Sequence, residues 1–183
     1  MTELYERVAA ERRRLRQVRQ ALTQATAQTA DGDSSWIAFY IGIADYFEAA
    51  MERLHAQDIR MGDMLQAKVD MAEPSNKQAL AELDERLAGN QQHLAAMLAA
   101  RESLRSIGAA ALDEFEVAGK AYADYIVANM GHHPGSTELA QKLFSTDDWQ
   151  FMADVSEADQ AREGDLFSQV FASVPATLKL EEH

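Results

Sequence analysis

Residues 36–65 read WIAFYIGIADYFEAAMERLHAQDIRMGDML, and the spacing of their apolar side chains decides the fold class. Trp36, Tyr40, Ile43, Phe47, Leu54, Met61 and Leu65 recur every three, four or seven positions. That is the repeat of one face of an α-helix, whereas a half-buried strand alternates at every second position. Working outward, the same pattern runs upstream through Leu4, Val8, Leu15, Val18, Leu22 and Ala25, and downstream through Leu80, Leu83, Leu87, Leu94, Met97 and Leu104. A fourth stripe holds Phe115, Ala118, Tyr122 and Tyr125. Between the stripes lie break signals. Asp31-Gly32-Asp33-Ser34-Ser35 is a turn ending in N-cap candidates, Pro74 precedes a capping box of Ser75 and Gln78, and Ile107-Gly108 is a weaker break.

This spacing predicts long helices over about 2–29, 35–69, 76–107 and 110–131, then two shorter ones over about 136–145 and 156–173. Short connections make sequential helices antiparallel neighbours, so the expected architecture is all-α, an up-down-up-down four-helix bundle with short C-terminal helices. One domain is expected over 1–183, with the bundle core over about 2–131, a helical extension over 136–173 and a tail over 174–183. Leu15, Leu22, Trp36, Phe47, Leu54, Leu87, Leu94 and Tyr122 are expected inside.

Composition narrows the function. The chain has 183 residues, 47% of them hydrophobic, enough for one sizeable core. Cysteine is absent, so a disulfide, a thiolate metal site and a Cys nucleophile are all excluded, and any metal falls to His, Asp or Glu. A formal net charge of −13 argues against nucleic acid, whose affinity comes from Lys and Arg on phosphates. The opening MTELYERVAAERRR is charged throughout, and no stretch has the ~20 uncharged apolar residues of a membrane span. A cytoplasmic protein with no membrane partner is expected. Arg7, Arg12, Arg13, Arg14, Arg16 and Arg19 fit the solvated face of the first helix.

The informative positions are polar residues where a stripe demands an apolar one. Glu11 sits between Val8 and Leu15, Asp58 between Leu54 and Met61, Asn90 between Leu87 and Leu94, and Arg101 between Met97 and Leu104. A second line on the helix of residues 36–65 carries Glu48, Glu52 and His55. In an antiparallel pair, positions at equal height have a constant sum fixed by the turn, assuming equal rise per residue. This register places Glu11 at the height of about residue 53, and residue 53 opposite about residue 90. The fourth helix reaches that level near Tyr125. Glu11, Glu52, His55, Asn90, His93 and Tyr125 are therefore expected in one layer.

A carboxylate and imidazole layer in a bundle core suits a metal, and Glu52-Arg53-Leu54-His55 has the E-x-x-H spacing that presents both ligand types inward. Structural accounts stand beside this one. Glu11 paired with Arg101 would fix helix register, Asn90 suits a register-setting amide, and Tyr125 suits the core.

The segments AERRRLRQV, MERLHAQD, NQQHLAAML and NMGHHPGSTELAQKLFSTDDWQFMA together resemble, over about residues 5–155, the hemerythrin-like (HHE cation-binding) four-helix bundles. His133 and Glu138 keep the family's last His-to-acid spacing, Glu11 or Arg12 stands in the place of its first His, and His55 and His93 stand on its second and third helices. The resemblance implies a divergent member with an altered metal site, or one that has lost it. The ligand set it implies is Glu11, Glu52, His55, His93, His133 and Glu138. The implied cofactor is non-haem iron, as one ion or two, with manganese or zinc also compatible. A sensor, storage or oxidase-like role follows. The alternative is a metal-free helical interaction or regulatory module with a polar register-setting core, taking a protein partner or a second copy of itself. No G-x-S-x-G, P-loop or dinucleotide fingerprint supports another enzyme class.

Overall fold

The computed structural model describes residues 2–129 and 134–181. Helix α1 spans Thr2–Gln28, α2 Ile37–Lys68, α3 Pro74–Ile107, α4 Leu112–Asn129, α5 Pro134–Leu143, α6 Thr146–Met152 and α7 Glu157–Ala172, with 3₁₀ turns at Ser34–Trp36 and Gly108–Ala111. The described residues are thus all-α, and they contain no strand. Among them no helix is long and apolar enough to cross a membrane.

The breaks form where the sequence signals them. Thr29, Asp31 and Gly32 take positive φ between α1 and α2, and the Asp33 carboxylate accepts from the Ser35 N–H at 2.9 Å to start the 3₁₀ turn. Gly108 (φ 63°, ψ −135°) separates α3 from α4, a backbone conformation that side-chain-bearing residues avoid. One start differs. No Ser75–Gln78 capping box forms; α3 begins at Pro74 with Glu73 as N-cap, because proline at the first helical position lacks only an N–H that has no partner there anyway.

Cross-helix pairs establish direction. Asp45 and Glu48 meet Arg101, Met51 meets Asn90, and His55 meets Gln91, so numbering rises on α2 as it falls on α3. Ser103 meets Glu114, Asn90 meets Tyr122, and Arg86 meets Tyr125, so α3 and α4 are antiparallel too. Glu11 on α1 pairs with Arg53 on α2, and α1 also packs on α4, where Leu22 and Thr26 crowd Gly119.

The expected core residues Leu22, Trp36, Phe47, Leu87 and Tyr122 are buried, while Leu15, Leu54 and Leu94 are half-buried against the core. Helix α7 joins them. Val170 packs over Gly42, the Phe167 and Tyr46 rings lie 6.2 Å apart, and Glu163 reaches Arg53, so α7 runs antiparallel along α2 and touches α1. Helix α7 belongs to the helical extension expected over 136–173. It shares the core of α1 and α2, because its face of Phe167 and Val170 must be covered.

A second apolar cluster has a geometric cause. The 34 residues of α3 extend about 50 Å, but the 18 of α4 extend only about 27 Å. The α2–α3 hairpin therefore protrudes. Met61, Leu65, Leu83 and Leu87 on it are covered by Ala140 and Phe144 of α5 and its exit, with Trp149 of α6 packed alongside.

Helix α6 is absent from the expected set, although Ser145-Thr146-Asp147-Asp148 announces it. The Ser145 hydroxyl accepts from the Asp148 N–H, and the Asp148 carboxylate accepts from the Ser145 N–H, a complete capping box. The Ser145 backbone N–H, Lys68 Nζ at 3.0 Å and the Ser145 hydroxyl hold the Asp148 carboxyl below its ordinary 3.8. A depressed carboxyl stabilises the fold fully above its unfolded value and ceases to as pH falls through its folded value. The α6 anchor is therefore expected to loosen below pH 3.8, as read by Trp149 fluorescence. An Asp148→Asn variant should lose this acid step.

Candidate functional site

At the height expected for Glu11 on α2, the residue that meets it is Arg53. Arg53 lies on the α2 face between α1 and α7, its side chain 8% exposed. Its Nη1 is 3.2 Å from Glu11 Oε2, and its Nε and Nη2 donate to the two oxygens of Glu163 at 2.5 and 3.1 Å. Glu11 and Glu163 are themselves buried, at 8% and 4% exposure. Arg7 Nε adds a longer contact to Glu11 at 3.6 Å, and Arg7 also donates to the Ala153 carbonyl in the α6–α7 connection.

Three helices thus converge on one cation with two carboxylates. Burial works to lower the Arg53 guanidinium pKa, but the Glu163 hydrogen bonds and the charges of Glu163 and Glu11 reverse that, and the net direction is upward. Arg53 stays charged. Beside the cluster, burial first and the Glu163 charge second push the Tyr46 phenol well above its ordinary value. Beyond it, a cleft of about 370 Å³ opens between α2 and the start of α7, lined by Glu52, Arg53, Arg60, Asp154, Asp159 and Arg162 among others.

A second cluster lies toward the α3–α4 turn. Arg101, 7% exposed, donates to Asp45 at 2.7 Å, to Glu48 at 2.6 Å and to Glu102 at 3.0 Å. The alternative of a Glu11–Arg101 pair is corrected accordingly: Glu11 pairs with Arg53, and Arg101 pairs with Asp45 and Glu48, about one to two turns earlier on α2. The Asp58 carboxylate acts on Arg86, whose guanidinium is pulled down by burial and partly restored by that charge.

Five of the six candidate ligands lie among the described residues. Glu11 belongs to Arg53. Glu52 and Glu138 are exposed. His55 is half-buried, its Nε2 2.6 Å from the Gln91 amide nitrogen and its Nδ1 buried without a hydrogen-bond partner among the described residues. His93 stacks on the Tyr125 ring at a centroid distance of 4.7 Å. His133 lies outside the described residues. Among those residues no group of three His, Asp or Glu side chains is placed to hold a metal ion.

The other members of the layer are structural. Asn90 is 2% exposed, accepting from the Tyr122 hydroxyl at 3.1 Å and donating to Met51 Sδ at 3.8 Å. Tyr125 donates to the Arg86 carbonyl at 2.9 Å and lies against Gly89, where a Cβ would come within 2.3 Å of the phenol oxygen.

Two buried acids escaped the stripes. Glu116, 7% exposed, accepts from the Ala30 N–H at 2.6 Å and the Tyr40 hydroxyl at 2.8 Å. It was detectable on a second line of α4, Leu112, Glu116, Gly119, Ala123 and Ile126, with spacings of four and three. Glu163 was detectable in the same way, ahead of Phe167 and Val170. No family model, no curated protein and no solved structure matches the chain.

Proposed function

We propose that this chain is a helical interaction module whose buried ion clusters set helix register, and which acts through its surfaces. In this account α1–α4 form the up-down-up-down bundle, and α7 is a fifth member pinned by Glu163. The observation that carries it is Arg53 seated between Glu11 and Glu163. A metal ion ligated by Glu11 must displace that guanidinium. The guanidinium would then keep only Glu163 and would face a second cation at a buried site, which is unfavourable.

Register-setting is the function such clusters serve well. An apolar stripe tolerates a slide of one helix along another, but a guanidinium that must meet two carboxylates from two other helices does not. The module gains one defined surface, which is what partner recognition requires.

Thermal unfolding with and without Fe(II), Mn(II) and Zn(II) tests this. A site-specific ligand at a hundredfold excess over its Kd adds about 2.7 kcal/mol of stability. The wild-type protein and a His55→Ala variant are expected to melt at temperatures that none of the three metals changes. A metal-induced rise in wild type that His55→Ala abolishes would reinstate the iron-binding assignment and overturn this one.

A further inference from the structure

Helix α1 turns a row of arginines outward. It carries six arginines against three glutamates, in a chain of 17 basic and 30 acidic side chains. The helix is therefore net positive on a body more acidic than the chain as a whole. Elsewhere the cations find carboxylates, as Arg53, Arg101, Arg105, Lys68 and Lys120 do. Among the described residues Arg12, Arg13, Arg16 and Arg19 make no ion pair. Arg12, Arg13 and Arg16 are exposed and Arg19 is half-buried. Burial first, and then the charge of Arg16, lower the Arg19 guanidinium from its ordinary value. With so many acids in the chain, a row of cations left to repel one another has an open demand for negative charge.

The row is one ridge of the helix. Arg12, Arg16 and Arg19 are spaced by four and three, so they fall within an arc of about 60° and climb about 10 Å along the axis. Exposed Ala9 and Thr23 continue the line at its two ends. It bears no aromatic and no large apolar side chain, since Val18, Leu22 and Ala25 of α1 are buried in the core. A helix that settles into a bilayer surface needs its apolar face free, and single-stranded nucleic acid is held largely by stacking on aromatic rings. The row is also narrow. Helices α7 and α4 pack beside α1, and they expose Asp159, Asp165 and Asp124. A nucleic-acid duplex or a lipid surface is wide enough to press its phosphates toward those acids, whereas a single helix follows the ridge.

We propose that the row of Arg12, Arg16 and Arg19, with Arg13 at its edge, docks an acidic α-helix of a partner protein whose Asp or Glu side chains recur at spacings of four and three. Equal rise per residue lets carboxylates at those spacings face all three guanidinium groups together, and the planar fork of arginine matches a carboxylate. Each exposed pair contributes little, so recognition depends on the three acting as a set. This inference rests on the interaction-module proposal and names its surface and its partner's chemistry.

The test uses the full chain and two fluorescein-labelled, alanine-based helical peptides of identical composition, read by anisotropy. One carries its glutamates at spacings of four and three, and the other distributes the same glutamates around the helix. Saturable binding of the first peptide is expected, weakening as salt rises. The second peptide, and a chain carrying Arg12→Gln, Arg16→Gln and Arg19→Gln, should each bind about tenfold more weakly or worse. Lys77→Gln, Lys142→Gln and Lys179→Gln together remove the same charge elsewhere and should leave binding as in wild type. The arginine variant is expected to keep the wild-type melting temperature, because those side chains hold no carboxylate, and lost binding is then not lost fold. Equal binding of the two peptides, or undiminished binding by the arginine variant, would overturn the proposal. Tighter binding of a DNA strand, a DNA duplex or phosphatidylserine vesicles through the same three arginines would also overturn it, by giving the row to phosphates. Failure to bind the peptide, with a melting temperature indifferent to Fe(II), Mn(II) and Zn(II), removes this surface alone. A metal-induced rise abolished by His55→Ala removes the module proposal, whatever the peptide does.

Discussion

Arg53→Ala is expected to lower the unfolding free energy by about 3–5 kcal/mol, the range found when one partner of a buried ion pair is removed. The cause is the state of the survivors. Glu11 and Glu163 are 8% and 4% exposed, and without the guanidinium both carboxylates remain away from water with no cation between them. For a chain of this size each kcal/mol shifts Tm by roughly 2–4 °C, so a fall of about 10 °C is expected. Combining Arg53→Met with Glu11→Leu and Glu163→Leu should recover most of it, because replacing a whole buried ion cluster by well-packed apolar groups of similar volume is often nearly neutral. Urea unfolding of the single and triple variants checks both statements.

Glu116→Ala should have an effect of similar size, about 2–6 kcal/mol. The carboxylate is the acceptor for the Ala30 N–H in the α1–α2 turn and for the Tyr40 hydroxyl in the core. Removing it leaves two buried donors unmade, at about 1–3 kcal/mol each. Burial first, then the hydrogen bond and charge of Glu116, hold the Tyr40 phenol above its ordinary value, so Tyr40 is a donor at neutral pH. Glu116→Gln keeps an acceptor oxygen and should cost less than half as much. Chemical unfolding gives the magnitudes, and faster exchange of the Ala30 amide in Glu116→Ala would locate the damage in the turn.

Heights along the helices were legible in the sequence because rise per residue is nearly constant. Glu11 was placed level with residue 53, and Arg53 is its partner; residue 53 was placed level with residue 90, and Met51 and His55 meet Asn90 and Gln91. Azimuth was not legible in the same way. Successive helical residues point about 100° apart, so a register good to one residue in height does not decide whether Glu52, Arg53 or Leu54 faces α1. That single ambiguity left Arg53 out of the expected layer. The stripe of α7 likewise declares that Phe167 and Val170 need cover without declaring that α2 supplies it, since an apolar face has no address. The capping box of α6 and the second line of α4 were readable from local spacing alone.

The claim that Arg53 and Glu163 lock α7 onto α2 is tested most directly by a double-mutant cycle with Arg53→Met and Glu163→Gln, read as unfolding free energies. The account predicts a coupling energy of about 1–3 kcal/mol, within the range for residues sharing a buried ionic network. Additivity of the two single changes to within about 0.5 kcal/mol would contradict it.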